Sequence, residues 1–415
     1  MQLELISACE AEDLDKAKQL VESGADLEQK NENGQTPLFI AVKKNNLELA
    51  SYLMEKGADL NARENTMLTP WLCAGANGFH KILKEALKYN PDIKSSNRFG
   101  GTVLLPSSEK GYLKTVEVGL DAGVPVNHVN DLMWSALQEA VILGNGGYLY
   151  RDILRRLIDA GADVNLKDND GKNVLDYAKE RKQERVLAIL EKREAQWPED
   201  IKTIREMILS EDYINAKELL VKGIEDEYRD LELYYLLGEM YTRQENYEEA
   251  LKVYLFAAKL PGGSPEFLFH TANTLRSLKR SDEALKEYEK AVEMDPEDFF
   301  YRYHMSNYLR ELGKHEEAIK AMDILLENDP NRYDYLFHKA NSLRSLGRHE
   351  ESAQAMDRAI KADPKNSLYI FHKAQSQHLL GENNEALELL EKALSMKKSS
   401  VYEAEKKKVQ ESLKA

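Results

Sequence analysis

Small and hydrophobic residues recur along this chain at two successive fixed steps, as expected when short helices stack in pairs. In the first half the step is 33 residues, seen at positions that open a helix: Thr36-Pro37, Thr69-Pro70, Thr102-Val103 and Ser135-Ala136. A threonine or serine can cap a helix, and proline in the first turn lacks an N–H that would be unpaired there anyway. Each marker therefore predicts the start of a helix.

A turn of small or polar residues closes each unit in the same phase. It stands at Gly24-Ala25-Asp26, Gly57-Ala58-Asp59, Asn90-Pro91-Asp92, Gly123-Val124-Pro125 and Gly161-Ala162-Asp163. Glycine readily adopts the left-handed conformation that ends a helix. The last step is five residues longer than the others, which places an insertion near residues 145–150. We expect a surface loop there with Tyr148 and Tyr150 as contact residues, a functionally neutral loop being the alternative.

From Leu231 onward the step is 34 residues, and small side chains keep it in three rows. The rows are Ala272, Ser306, Ala340 and Ala374; Ala250, Ala284, Ala318, Ser352 and Ala386; and Ala257, Ala291, Leu325, Ala359 and Ala393. Small residues let two crossing helices approach closely. Pro296, Pro330 and Pro364 keep the same step, and proline ends a helix because it cannot continue the hydrogen-bond ladder.

The first half resembles the ankyrin repeat, with its Thr-Pro-Leu opening and Gly-Ala closing, and the second half resembles the tetratricopeptide repeat. The stretch from Asn127 to Gly147 is similar to one in bacterial ankyrin proteins. The resemblance implies an all-α fold of two consecutive α-solenoids. Ankyrin repeats with short β-hairpin fingers would be followed by a tetratricopeptide superhelix.

We expect an ankyrin domain over residues 1–196, a tetratricopeptide domain over 197–398 and a C-terminal capping helix over 399–415. The unit near 197–230 keeps little of the pattern, so its first helix is uncertain. No Gly/Ser tract separates the halves, so we expect the two solenoids to abut, with Pro198 marking the break.

The composition excludes several classes of partner. The formal net charge of −15 argues against a nucleic-acid or anionic-membrane binder, because both need a broad basic surface. No stretch of eighteen apolar residues occurs. Cys9 and Cys73 lie in apolar helical patterns, which predicts two buried, reduced thiols and a cytoplasmic protein. The sequence indicates no oligomeric state.

The first helix of each 34-residue unit carries three rows of residues in register. The aromatic row is Phe269, Tyr303, Phe337 and Phe371; the amide row is Asn273, Asn307, Asn341 and Gln375; the basic row is Arg276, Arg310, Arg344 and His378. Spacing of i, i+4 and i+7 puts the three rows on one helix face, which we call the groove. We expect the basic row to face solvent.

Amides can hydrogen-bond the backbone of an extended peptide, and arginines suit carboxylates. The groove therefore predicts an extended acidic peptide as ligand. The alternatives are that the asparagines are a general feature of the family and that the aromatic row packs between repeats.

A histidine row, His270, His304, His338 and His372, keeps the same step. Neighbouring helices are roughly 8–10 Å apart, whereas zinc holds its nitrogens at about 2 Å, so we expect packing or groove-rim residues and no metal. No catalytic or cofactor motif occurs, so we expect no enzyme and no cofactor.

In the first half Trp134 occupies the tip of an expected hairpin finger, where side chains often project. Together with Tyr148 and Tyr150 it forms the expected ankyrin contact surface. The predicted function is an adaptor that binds a folded protein through the ankyrin surface and an extended segment in the groove. The alternative is a ligand-gated regulator, in which a peptide in the groove changes what the ankyrin half binds.

We predict that the two halves fold independently, because each has its own repeats and its own atypical ends. Fragments ending or starting near Gln196 should each show cooperative helical melting by circular dichroism. A half that is molten or aggregates would contradict the predicted boundary.

Overall fold

The chain forms two compact units, residues 1–192 and 193–415. A computed structural model describes residues 4–192, 199–226, 231–260 and 264–414. The predicted boundary at residue 196 and the predicted break at Pro198 lie outside the described residues.

The described part of the first unit folds into six successive helix pairs. They are α1 (Glu4–Glu10) with α2 (Leu14–Glu22), α3 (Pro37–Lys43) with α4 (Leu47–Glu55), α5 (Pro70–Ala76) with α6 (His80–Ala86), α7 (Leu104–Glu109) with α8 (Leu113–Asp121), α9 (Ala136–Ile142) with α10 (Tyr148–Asp159), and α11 (Val174–Glu180) with α12 (Glu184–Leu190). First helices pack on first helices and second on second along the stack, so the core is continuous from pair to pair.

Three of the four predicted helix caps are present, and the exception is Thr102, since α7 begins at Leu104 and Val103 stands at its N-cap without a side-chain bond. The Thr36 hydroxyl accepts a hydrogen bond from the Phe39 amide at 3.2 Å, and Thr69 does the same for Leu72 at 3.1 Å. Ser135 and Gln138 form a reciprocal capping box at the start of α9. Cys9 and Cys73 are buried and unbridged, as predicted, and burial raises the pKa of each thiol to about 12.

The expected β-hairpin fingers are instead turns closed by side chains. Asn31 Oδ1 accepts the amides of Asn33 and Gln35, and Asn97 and Asn130 do the same in the later loops. These side chains take up backbone donors that a longer hairpin would pair across its strands. In the part of the chain that the structure describes, the only β-pairing outside the helices is an isolated bridge between Val129 and Ser135.

The five-residue insertion forms helix more than loop, which corrects the sequence-based expectation. α4 begins two residues after Asn45, whereas α10 begins four residues after Gly144. α4 has 9 residues and α10 has 12. The insertion therefore adds two residues to the turn and three to the helix, because a longer second helix can bury Leu149 and Tyr150.

The second unit begins with a pair whose first helix the sequence left uncertain, α13 (Glu199–Leu209) with α14 (Tyr213–Asp226). The following pairs are α15 (Leu231–Arg243) with α16 (Tyr247–Ala257), α17 (Pro265–Ser277) with α18 (Ser281–Met294), α19 (Phe299–Glu311) with α20 (His315–Asn328), α21 (Tyr333–Ser345) with α22 (His349–Ala362), and α23 (Ser367–Leu379) with α24 (Asn383–Met396). A last helix, α25 (Ser400–Ser412), packs on α24 and α23 and buries Tyr402 and Val409.

Aromatic rings and histidines join consecutive first helices of the second unit. The ring of Phe269 lies 5.3 Å from that of His304, Tyr303 lies 5.5 Å from His338, and Phe337 lies 5.0 Å from His372. Tyr235 and His270 begin the series at 5.4 Å. At its end Phe371 stacks on Tyr402 of α25 at 4.5 Å. The histidine row is therefore a packing feature of the repeat, one of the two roles expected for it.

We predict that Gly238→Ala destabilises the second unit. Gly238 stands in the small-residue row with Ala272, but an added Cβ would lie 2.2 Å from a ring carbon of Tyr254, which is buried. Overpacking of this kind costs about 1–3 kcal/mol, measurable by urea titration followed by circular dichroism. Ala272→Gly in the next repeat is the control, with a loss of about 0.5–1 kcal/mol.

Whether Gly238→Ala raises or lowers the free energy of unfolding distinguishes an uncrowded site from a crowded one. In an uncrowded helix, Gly→Ala stabilises by up to about 1 kcal/mol. A more stable Gly238→Ala protein would therefore contradict the close approach of the two helices.

Candidate functional site

The aromatic row does not line the surface of the groove. Phe269, Tyr303, Phe337 and Phe371 are 2%, 3%, 7% and 1% exposed, respectively. Each ring is covered by the following first helix or, for Phe371, by α25. The placement of these four residues among the peptide contacts is thus corrected, because the spacing along one helix does not show that the next helix covers that face.

The arginines of the basic row are half-buried and bonded within the protein, contrary to the expectation that they face solvent. Arg276 pairs with Glu311 of the next repeat at 2.6 Å. Arg310 donates to Asn307 at 3.1 Å and to a ring nitrogen of His338 in the next repeat. Arg344 donates to Asn341 and, at 3.5 Å, to the carbonyl oxygen of His372. Each arginine therefore joins two consecutive first helices.

The three asparagines of the amide row share one bonding pattern. The carboxamide oxygen of each accepts an internal hydrogen bond, from the Tyr288 hydroxyl for Asn273 (2.8 Å) and from an arginine for Asn307 and Asn341. In the described part of the chain their NH2 groups make no hydrogen bond, and the one on Asn307 is buried. Two of these donors, on the half-buried Asn273 and Asn341, are therefore within reach of an acceptor, whereas the Asn307 donor is enclosed by the protein.

The last unit departs from this pattern. Gln375 and His378 are half-buried, and the Nδ1 atom of His378 lies 2.7 Å from the Oδ1 atom of Asn383 in the same helix pair. Neither residue repeats the bond between an arginine and the amide three residues earlier. The bonding pattern of the amide and basic rows is therefore confined to the part of the groove from Asn273 to Arg344.

Two of the three residues expected on the ankyrin surface are buried. Trp134 is 3% exposed and its indole N–H donates to Asp168 at 3.2 Å. Tyr150 is 1% exposed and its hydroxyl donates to the carbonyl oxygen of Glu109 at 2.7 Å. Both fill the joint between one repeat and its neighbour, which corrects their placement on a contact surface. Tyr148 is half-buried with the Arg151 guanidinium 4.5 Å from its ring centre.

The first unit contains a buried acid that was not predicted from the sequence. Glu139 of α9 is 7% exposed, and its Oε1 atom accepts a hydrogen bond from Asn130 at 2.8 Å. Oε2 is buried without a hydrogen-bond donor. Burial, together with the nearby charge of Glu109, raises the pKa of Glu139 well above its ordinary value. Its place next to Gln138, in a helix whose other residues are all apolar, is the signal that could have identified it.

The described residues contain no group of three or more His, Cys, Asp or Glu side chains arranged to hold a metal ion. None of the helices in the described ranges has both the length and the apolar character that crossing a membrane requires.

Comparison with known families agrees with the repeat pattern. Ankyrin-repeat models match residues 5–97 and 133–169, and tetratricopeptide-repeat models match 210–265, 235–299, 303–367 and 369–400. The chain is an ankyrin-repeat protein fused to tetratricopeptide repeats. The first unit is accordingly the ankyrin unit and the second the tetratricopeptide unit.

Relatives of known sequence or structure match the ankyrin unit. The ankyrin repeat protein YahD of Escherichia coli is 32% identical over 184 residues, which is 44% of this chain and 92% of YahD. An ankyrin repeat domain from Acinetobacter baumannii is 41% identical, covering 46% of this chain and 97% of its own, with a TM-score of 0.45. The ankyrin repeat protein EF0377 is 35% identical, covering 48% and 99%, with a TM-score of 0.45.

We predict that Glu139→Gln stabilises the ankyrin unit at pH 7 and not near pH 4. A raised pKa means that the folded protein binds more protons than the unfolded chain above the ordinary glutamate pKa, about 4.3. The free energy of unfolding therefore falls as the pH rises through that window. An amide cannot ionise, so at pH 7 the free energy of unfolding of the variant should exceed that of the wild type by on the order of 1 kcal/mol. This corresponds to about 2–4 °C in melting temperature.

The measurement is thermal melting of wild type and variant between pH 4 and pH 8. Glu22→Gln, at an exposed position in the same unit, is the control and should shift the melting temperature little. A loss of stability at pH 7 in Glu139→Gln would contradict the raised pKa of Glu139.

Proposed function

We propose that this protein is an adaptor without catalytic activity, whose groove in the tetratricopeptide unit binds an extended acidic peptide while its ankyrin unit binds a folded partner. Ankyrin and tetratricopeptide repeats are protein-interaction modules, which supports protein partners. The observation that carries the proposal is that the NH2 groups of Asn273 and Asn341 are unengaged on half-buried side chains, while that of Asn307, at the equivalent position, is unengaged but buried.

The donors suit a peptide backbone because a main chain in extended conformation presents one carbonyl oxygen per residue and has acceptors to spare. A donor that loses its water to a ligand without gaining an acceptor costs about 1–3 kcal/mol, so the NH2 groups of Asn273 and Asn341 favour a ligand that supplies one. The neighbouring guanidiniums add a preference for acidic side chains.

The folded partner of the ankyrin unit is supported by the repeat type alone. Because Trp134 and Tyr150 are buried, the partner surface in this proposal does not include them, whereas Tyr148 stays a candidate. The two buried, unbridged cysteines favour a reducing compartment, and we place the protein in the cytoplasm.

A ligand-gated regulator is the second candidate, and one observation favours it. Arg310 and Arg344, which a peptide would engage, also join consecutive repeats, through His338 and the His372 carbonyl. A ligand that draws an arginine away removes a contact between two helices, which would change the superhelical pitch of the tetratricopeptide unit. Small-angle scattering with and without bound peptide separates the two candidates, since a plain adaptor keeps its profile.

We predict that replacing Asn273, Asn307 and Asn341 together by Ala weakens binding of the groove partner at least tenfold. Each amide contact contributes on the order of 0.5–1.5 kcal/mol. Tagged full-length protein is used to capture partners from a cell extract, which are quantified by mass spectrometry and then measured individually by calorimetry. Because neutral contacts are barely screened, the loss should persist at high salt.

The matched control replaces three exposed asparagines of the same unit, Asn328, Asn331 and Asn384, by Ala. Its partners should be retained, and partners of the ankyrin unit should survive in both variants. Equal retention of every partner by the groove variant would show that the amide row is only scaffold.

A further inference from the structure

The three arginines of the basic row occupy equivalent positions but have different electrostatic surroundings. Arg276 forms an ion pair with Glu311, one position after Arg310 in the next repeat. The residues that correspond to Glu311 in the following repeats are Ser345 and Leu379, which carry no charge. Arg276 is therefore neutralised across the repeat joint, and the two later arginines are not.

Within the described ranges no carboxylate forms an ion pair with Arg310 or Arg344. Their partners are neutral: an asparagine oxygen for each, a ring nitrogen for Arg310 and a main-chain oxygen for Arg344. The nearest acid that acts on Arg344 is Glu405 of α25, at longer range, and this carboxylate lies 3.6 Å from Lys408. Two guanidiniums on adjacent repeats therefore share one stretch of the groove without a counter-ion of their own.

Burial makes this arrangement costly for Arg344. Loss of solvent lowers the pKa of its guanidinium to about 10, against the weaker opposite effect of Glu405. The group still carries its charge at neutral pH. A buried cation gains most from an anion placed beside it, because the desolvation has already occurred in the free protein.

We propose that Arg310 and Arg344 form an anion subsite of the groove, which holds two carboxylate side chains of one extended peptide, while Arg276 takes no part. This inference rests on the proposed function of the groove and adds to it the position of the acidic residues. Asn341 accepts a hydrogen bond from the Arg344 guanidinium through its oxygen and keeps an unbonded NH2 group on a half-buried side chain, so this donor can hold the peptide backbone beside the ionic contact.

The repeat geometry sets the spacing of the two acids. The helices that carry Arg310 and Arg344 meet through the rings of Tyr303 and His338, and the axes of packed helices are roughly 8–10 Å apart, which gives the approximate spacing of equivalent positions. A polyproline II peptide turns once in three residues and rises about 3.1 Å per residue, so positions i and i+3 face the same side about 9 Å apart. The preferred ligand therefore carries Asp or Glu at two positions three residues apart.

The test starts with a phage-displayed library of random twelve-residue peptides selected on the full-length protein. Two selected peptides are then synthesised, and their affinities are measured by fluorescence anisotropy against wild type and variants. The expected peptides carry the acidic pair with i, i+3 spacing. Arg310→Gln and Arg344→Gln should each weaken them at least tenfold, as the loss of a charge-assisted bond does.

The comparison variants separate this subsite from general positive charge. Arg276→Gln should weaken binding much less than either of the other two changes. Arg280→Gln, outside the three rows and paired with Glu283, is the control. Glu311→Gln releases Arg276 from its ion pair and should tighten acidic peptides at least threefold, which tests the proposal even where an Arg→Gln variant fails to fold.

Failure of the inference and failure of the proposed function give different results. The subsite would be overturned by selected peptides that depend on Asn273, Asn307 and Asn341 but show no acidic pair. Peptides that depend chiefly on Arg276 would overturn it as well. In both cases the proposed peptide-binding function of the groove would stand. A selection that yields no peptide dependent on the groove would overturn both. Unchanged affinity in Glu311→Gln would contradict the neutralisation of Arg276.

Discussion

The packing of an aromatic ring on the histidine of the next repeat is the interaction on which the tetratricopeptide unit depends. In a solenoid each repeat touches only its neighbours, so stability is the sum of the joints between them. Phe269 on His304, Tyr303 on His338 and Phe337 on His372 are three such joints with one geometry. They bring consecutive first helices close enough for an arginine seven residues further along the helix, about two turns, to reach the following repeat. The groove with its donors and cations is a consequence of that approach.

The fold could be predicted from the sequence because every repeat needs the same kinds of residue at the same positions. Threonine caps, glycine turns and small crossing residues recur at a fixed step, so their agreement outweighs any single weak signal. The groove was predicted only in part. Spacing of i, i+4 and i+7 shows which residues share a helix face, but not whether a neighbour covers it. The aromatic row was therefore placed on the surface, whereas the next helix buries it.

The ankyrin unit shows the same limit with single residues. Trp134 was expected to project from a finger, but Asp168 receives its indole N–H together with the Tyr177 hydroxyl and two loop amides. The Asp168 carboxylate lies one repeat away from Trp134, and no local sequence pattern predicts the contact between them. The position of the insertion was predicted from the step, while its helical form depends on the burial of Tyr150 against the previous repeat. Where the local sequence pattern does not determine whether a residue is exposed or buried, its contacts with the neighbouring repeat determine it.

The helix at the end of the second unit has a consequence for how such a protein can change in length. Its Tyr402 stacks on Phe371 where every earlier ring meets a histidine, so the final ring faces a side chain that does not belong to the repeat. A duplicated repeat inserted before Phe371 finds a matching partner on both sides. One added after α24 would have to displace Tyr402 first. Growth of the array by duplication is thus permitted in its interior and blocked at this end, which keeps the last unit fixed while the number of repeats before it is free to vary.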